Sequence, residues 1–354
     1  MDSHTQTLRS HYPWTSSPLV VSAPLRAIAG PLLAVNVSRA GGLGFLGVGT
    51  DLSNFEQSLS ECTFAVQMSP VPNSIPGTAP IGVGFLCWGA SLQTALSVIS
   101  KAQMKPAAAW LFAPEKQEDL ISWAEAIREA SEGKTKIWIQ VGTVAMAVEL
   151  ARSCKPDVLV VQGSDAGGHG LVRSSSIISL LPECADTLEK EGFGHIPLIA
   201  AGGISDGRGV AAGIALGASG VCLGTRFLAS PEAIISKGYQ DAVLNAKDGG
   251  VSTARTSLYD RLRGTPGWPK LFNARGILNH SFWDHEKGMS EAENTKLYEE
   301  AVKMGDAGWG EQGRMTTYAG TGIGLVHKSM PAGNIVAEVL RDSKELLAKA
   351  QSRF

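Results

Sequence analysis

Between residues 18 and 247 the chain repeatedly alternates a short apolar run with a segment of helical periodicity. The apolar runs are Leu19–Ala23, Gly44–Val48, Ile81–Leu86, Ala107–Phe112, Lys136–Val141, Val158–Val161, Pro197–Ala200 and Gly220–Leu223. Helical periodicity marks Pro31–Ala40, Leu92–Lys101, Gln117–Ala130, Thr143–Ser153, Ser176–Glu191, Gly207–Leu216 and Pro231–Asn245. Strands that alternate with helices form a parallel sheet. The count then selects the architecture, because eight strands in about 230 residues is the stoichiometry of a closed barrel, whereas open doubly wound sheets usually hold fewer. Val158-Leu159-Val160-Val161 is apolar at every position, as burial of both faces requires. The expected fold is therefore α/β, a (β/α)8 or TIM barrel. The link between the second and third runs carries Pro70, Pro72, Pro76 and Pro80 and predicts irregular loop.

After residue 247 the rhythm breaks, at Gly249-Gly250 and again at Gly264-Thr265-Pro266-Gly267-Trp268-Pro269. Two helical patterns follow, around Glu291–Met304 and Pro331–Ala350. Residues 1–247 read as the barrel, and residues 248–354 as a C-terminal elaboration folded back on it within the same domain. A chain of 354 residues, 44% hydrophobic, can build one large core. Its net charge of −2 provides no electrostatic footprint for nucleic acid or an anionic membrane. The five cysteines form no C-x-x-C pair and predict buried, reduced thiols. The seven histidines form no metal-ligand cluster, so no metal is expected. A polar N-terminus and the lack of a run of about 20 apolar residues point to a cytoplasmic protein without a membrane span. Ser352-Arg353-Phe354 is a weak match to a peroxisomal S-K-L address, with Phe in place of Leu.

In such a barrel the active site lies at the C-terminal ends of the strands, and the loops after strands seven and eight often hold a phosphate. Those loops read Ala200-Ala201-Gly202-Gly203-Ile204-Ser205-Asp206-Gly207 and Leu223-Gly224-Thr225-Arg226-Phe227. Small residues let backbone N–H groups converge on an anion, a helix N-terminus adds partial positive charge, and Thr225 adds a hydroxyl. One glycine pair alone is more often a tight turn, but two pairs on these two strands favour a phosphate. The sixth strand ends in Gln162-Gly163-Ser164-Asp165-Ala166-Gly167-Gly168-His169-Gly170. Gln162 sits where an amide can bond the edge of a flat heteroaromatic ring, and Gly167 and Gly168 let backbone pass close to a ligand. His169, on a loop over the barrel mouth, is a surface histidine or a general base, and its setting favours the base. His195 reads as structural and His4 and His11 as part of a mobile terminus. Among His280, His285 and His327, His327 is expected to come nearest the site. Ala23-Pro24-Leu25 ends the first strand and presents backbone polar groups toward the axis. Gly41-Gly42-Leu43-Gly44-Phe45-Leu46-Gly47 imitates a dinucleotide fingerprint but leads into a strand, the wrong context for one.

Taken together these motifs resemble the nitronate monooxygenase family, once called 2-nitropropane dioxygenases. The similarity lies in Ala40–Gly47, Gln162–Gly170, Ile199–Gly207 and Leu223–Ala229, and extends to Tyr318-Ala319-Gly320-Thr321-Gly322 and Met330-Pro331-Ala332-Gly333. The resemblance implies non-covalent FMN, with its phosphate on Ala201, Gly202, Gly203, Gly224 and Thr225. It further implies an isoalloxazine ring faced by Ala23, Pro24, Leu25 and Gln162, with Gly167, Gly168, Tyr318, Gly320 and Thr321 beside it. In its terms His169 takes the α-proton of a nitroalkane, and the nitronate is oxidised with O2 to a carbonyl compound and nitrite. Three positions depart from the family pattern: Gly84 stands where an Asn is common, Leu25 where Met is common, and Thr321 where Gln or Ser is expected. Two other readings fit the same loops. One is an NAD(P)H-dependent FMN reductase acting on enoyl thioesters or quinones, and the other is a non-catalytic barrel that binds a phosphorylated ligand. The sequence leaves the oligomeric state open, a homodimer included.

Overall fold

The computed structural model describes residues 2–265 and 267–353, so Phe354, the last residue of the targeting-like tripeptide, lies outside the described residues. The strands are β1 (Leu19–Ser22), β2 (Phe45–Gly49), β3 (Thr78–Leu86), β4 (Lys105–Phe112), β5 (Lys136–Val141), β6 (Val158–Gln162), β7 (Gly168–Leu171), β8 (Leu198–Ala201), β9 (Gly220–Leu223), β10 (Thr253–Thr256) and β11 (Phe272–Ile277). The first nine helices are α1 (Ser3–His11), α2 (Pro31–Arg39), α3 (Phe55–Met68), α4 (Leu92–Lys101), α5 (Asp119–Ala130), α6 (Val144–Cys154), α7 (Ile177–Lys190), α8 (Gly207–Ala215) and α9 (Thr225–Leu228). They are followed by α10 (Lys237–Asn245), α11 (Gly249–Ser252), α12 (Leu258–Leu262), α13 (His280–Glu286), α14 (Glu291–Lys303) and α15 (Ala332–Gln351).

Eight strands form one parallel sheet in the order β1-β9-β8-β6-β5-β4-β3-β2. Its two edges meet, because Leu43 N–H donates to Val20 and Ser22 N–H donates to Leu43, which closes the barrel. Helices enter this frame through local caps. Ser91, Thr143, Ser176, Ser236 and Ser290 each accept a backbone N–H from the first turn of the helix they precede.

The structure departs from the sequence reading in four places. The link between β2 and β3 is not loop throughout. α3 fills most of it, with Phe55, Leu59, Cys62 and Val66 along one buried face, and the prolines begin only after it ends. The terminus expected to be mobile folds as α1, and a His4 ring nitrogen bonds the Gly194 carbonyl. The eighth position of the outer helix ring belongs to α15, which packs on both α8 and α2, whereas α10 contacts the short turn at residues 305–308. Finally, β10, β11 and β7 form a separate three-stranded antiparallel sheet, so His169 lies on a strand paired with Ala274 and not on a free loop.

The barrel's interior is aromatic. Phe45 meets Trp110 edge-on and Trp138 at a tilt, both at 5.3 Å between ring centroids. Tyr12, fully buried after α1, tilts against Trp138 and accepts a 2.6 Å hydrogen bond from its indole N–H. Burial of such rings dominates core stability, and an indole N–H stripped of water needs its partner. Tyr12→Phe is expected to keep the packing but orphan that N–H, at a cost of about 1–3 kcal/mol in chemical denaturation. An unchanged unfolding midpoint would refute the importance of this bond.

Candidate active site

A cavity of about 830 Å³ opens at the C-terminal ends of the strands, within the size range of cofactor and ligand sites. Its wall includes Ala23, Pro24, Leu25, Gln162, Gly167, Gly168, His169, Ala201, Gly202, Gly203, Gly224, Thr225, Tyr318 and Gly320. Of the residues implied by the sequence, Thr321 stands behind this wall. Its N–H donates to Asp165, and its hydroxyl lies where a side chain on Gly203 would come within 3.8 Å. His327 is exposed and does not line the cavity.

The loops after β8 and β9 supply an anion cradle. Gly202 and Gly203 take φ of +107° and +75°, conformations that side chains disfavour. Among the described residues, the N–H groups of Gly202, Gly203, Gly224 and Thr225 find no protein acceptor. Backbone donors without a partner are uncommon unless water or a ligand meets them. The Thr225 hydroxyl oxygen accepts from Gly320 N–H at 2.9 Å, and its own hydrogen remains available. The N-terminus of α8 contributes less than expected, because Asp206 caps it through the N–H groups of Arg208 and Gly209. The cradle therefore consists of loop N–H groups rather than of that helix end.

The opposite wall suits a flat polar ring. Gln140 at the end of β5 is buried, its oxygen accepts from Trp110 Nε1 at 3.0 Å, and its Nε2 has no partner. An orphaned amide donor on a cavity wall matches the edge of a flavin. The sequence reading missed it, since a glutamine ending an apolar strand was its only sign. Gln162 is committed differently, with Nε2 donating to the His169 carbonyl at 3.1 Å. At Ala23-Pro24-Leu25 the N–H groups of Ala23 and Leu25 are spent on Leu223 and Ala23, so the segment offers carbonyl oxygen rather than donors. The departure at Gly84 has a steric cause: a Cβ there would lie 2.2 Å from Cβ of Pro24. Gly167, expected to pass close to a ligand, lines the cavity and also lies against backbone, since its Cβ would fall 2.4 Å from the Gly320 nitrogen.

His169 is held from several sides. Its Nε2 lies 3.0 Å from each carboxylate oxygen of Asp260, on α12. The Tyr318 hydroxyl donates to the same carboxylate at 2.8 Å. Trp268 stacks on the imidazole at 3.5 Å and 6°, and Tyr318 meets it edge-on at 5.4 Å. A carboxylate facing Nε2 makes that nitrogen the donor and leaves Nδ1 as the basic one. Burial holds His169 below the ordinary imidazole pKa, with Asp260 pulling upward and Arg263 and Arg255 pushing down. The net shift favours the neutral imidazole. Arg255 and Arg275 fix the preceding loop, both donating through Nε to the Ser164 carbonyl.

A closed barrel with such a cradle and a carboxylate-held histidine has the parts of an enzyme that holds an anionic group beside a titratable one. The family model described as nitronate monooxygenase matches residues 121–342. "Nitronate monooxygenase npaC" of Metarhizium robertsii is 49% identical over 97% of this chain and 95% of its own length. A Neurospora crassa nitronate monooxygenase is 35% identical over 98% of this chain and 94% of its own. Among solved structures, FabK from Thermotoga maritima superposes with a TM-score of 0.72 at 22% identity, covering 98% of both chains. The chain belongs to the nitronate monooxygenase family and is an oxidoreductase. Among the described residues no helix is long and apolar enough to cross a membrane.

The cradle yields a direct test. At Gly224 φ is −106°, and an added Cβ meets nothing closer than 3.7 Å, so a side chain there is sterically tolerated. Gly224→Asp is expected to fold normally yet purify without flavin, because its carboxylate occupies or repels from the anion site. A fully yellow variant by absorption spectroscopy would contradict this placement.

Proposed function

We propose that this enzyme oxidises alkyl nitronates, and nitroalkanes after deprotonation, with O2 and bound FMN, giving a carbonyl compound and nitrite. The observation that carries the reading is His169, held by Asp260 on the wall of the cavity that also contains the unpaired N–H cradle. The cradle of Gly202, Gly203, Gly224 and Thr225 suits the FMN phosphate, and the orphaned Gln140 amide suits the ring edge. Bound flavin supplies electron transfer and the route to O2, chemistry that no side chain here provides.

The protein's own part is proton handling. Nδ1 of His169 accepts the α-proton of a neutral nitroalkane, while Nε2–H stays on Asp260. The imidazolium so formed sits against a carboxylate that Tyr318 also orients, which stabilises the charge without moving a second proton. Trp268 covers one face of the ring and keeps water from it. A preformed nitronate needs no deprotonation, so the two substrates separate the base from the rest of the site.

His169→Asn is expected to retain FMN and activity on preformed ethyl nitronate, but to lose activity on nitroethane by about 10²- to 10⁴-fold. Equal loss on both substrates would remove the base role. Asp260→Asn also disfavours the productive tautomer and should lower nitroethane turnover selectively. Because Asp260 raises the His169 pKa against burial, Arg263 and Arg255, its loss should move the acidic limb of kcat/KM to lower pH. A limb unmoved or shifted upward would argue against that coupling. Anaerobic titration decides the reaction class: a nitronate should bleach the flavin and NADH should not. The reverse result would assign a flavin reductase, and a colourless protein that cannot be reconstituted with FMN would assign a binding barrel.

A further inference from the structure

We propose that Arg263 is the residue that binds the nitro and nitronate oxygens of the substrate, an assignment that rests on the nitronate-oxidising reading above. Arg263 follows α12 directly, three residues beyond Asp260, and lines the same cavity. Its guanidinium carbon stands 5.4 Å from the Tyr318 ring centroid, the separation also found between that ring and His169. Among the described residues it makes no ion pair; its side chain neighbours the Tyr318 ring and hydrogen-bonds the Tyr318 hydroxyl. A guanidinium on a cavity wall with no carboxylate of its own has donors to offer an anion that enters the cavity.

Other arginines near the site are committed elsewhere. Arg255 and Arg275 donate to backbone carbonyls of the loop after β6 and to the small sheet. Arg226 faces Glu338, and Arg26 lies over Gly49 at the end of β2. Among the described arginines that line the cavity, Arg26 lies toward β2, and Arg263 is the one that shares Tyr318 with the histidine.

The chemistry of the head group fits that fork. A nitronate carries its negative charge over two coplanar oxygens, as a carboxylate does, and guanidinium binds such a pair through two parallel N–H bonds. In nitroalkane deprotonation the negative charge develops on those same oxygens, one atom removed from the carbon that loses its proton. A hydrogen-bond length at each end with the C–N–O unit between spans roughly 8 Å. Two groups each 5.4 Å from one tyrosine ring accommodate that span. His169 would then take the proton while Arg263 holds the charge the proton leaves behind, a stabilisation set in place before reaction.

The test uses flavin-loaded wild-type protein with Arg263→Gln and Arg263→Lys. Nitrate, a planar oxyanion, is titrated calorimetrically, and steady-state kinetics are measured with preformed ethyl nitronate and with nitroethane. Arg263→Gln is expected to weaken nitrate binding about tenfold or more, to raise KM for ethyl nitronate similarly, and to lower kcat with nitroethane, where the charge on the oxygens develops during the reaction. Arg263→Lys should recover part of the nitrate affinity, which a purely structural arginine would not predict. Wild-type protein that binds no nitrate, or equal nitrate affinity in wild type and Arg263→Gln, would overturn the assignment. If wild-type protein turned over no nitronate at all, the proposed reaction would fail on its own. The nitrate titration would still decide whether Arg263 is an anion site.

Discussion

The antiparallel pairing of β7 with β11 fixes where His169 stands and what it faces. It joins the segment after the sixth barrel strand to a strand about a hundred residues later, with Ala274 opposite His169. That register turns the imidazole toward α12, where Asp260 waits, and toward the Trp268 ring just before β11. A slip of one residue would point His169 to the other face and place a glycine against Asp260. The small sheet contributes no rung to the barrel ladder, yet its register sets His169 against Asp260.

The scaffold divides the labour. Parallel strands bring two glycine-bearing loops to one end of the barrel, where unpaired N–H groups face the cavity. The segment after β9 adds the walls: Tyr318 and Gly320 lie against the loop after β6, and Thr225 is tied to Gly320. The glycine cradle and the His169–Asp260 pair therefore come from different parts of the chain, and the segment at Tyr318 and Gly320 touches both.

The barrel strands were legible because each is a short run of apolar or β-branched residues, a local property. The cradle was legible for a similar reason, since small residues at two strand ends are visible in the chain itself. α3 was not, because the prolines after it masked a clear i, i+4 spacing from Phe55 to Val66. β7 escaped because Gly168-His169-Gly170-Leu171 has no strand propensity of its own and is ordered by its distant partner. Asp260 escaped most completely. Ninety-one residues separate it from His169, and nothing in Leu258-Tyr259-Asp260-Arg261-Leu262 distinguishes a buried carboxylate from a solvated one.

Asp260 and Arg263 are neighbours on one helical turn, yet neither takes part in the glycine loops or the barrel ladders. α12 is anchored through the buried Leu258, Tyr259 and Leu262, so changes confined to Asp260 and Arg263 can alter the charge beside His169 while the glycine loops stay untouched. The two charged positions beside the histidine are thus set apart, in sequence and in packing, from the strands that close the barrel.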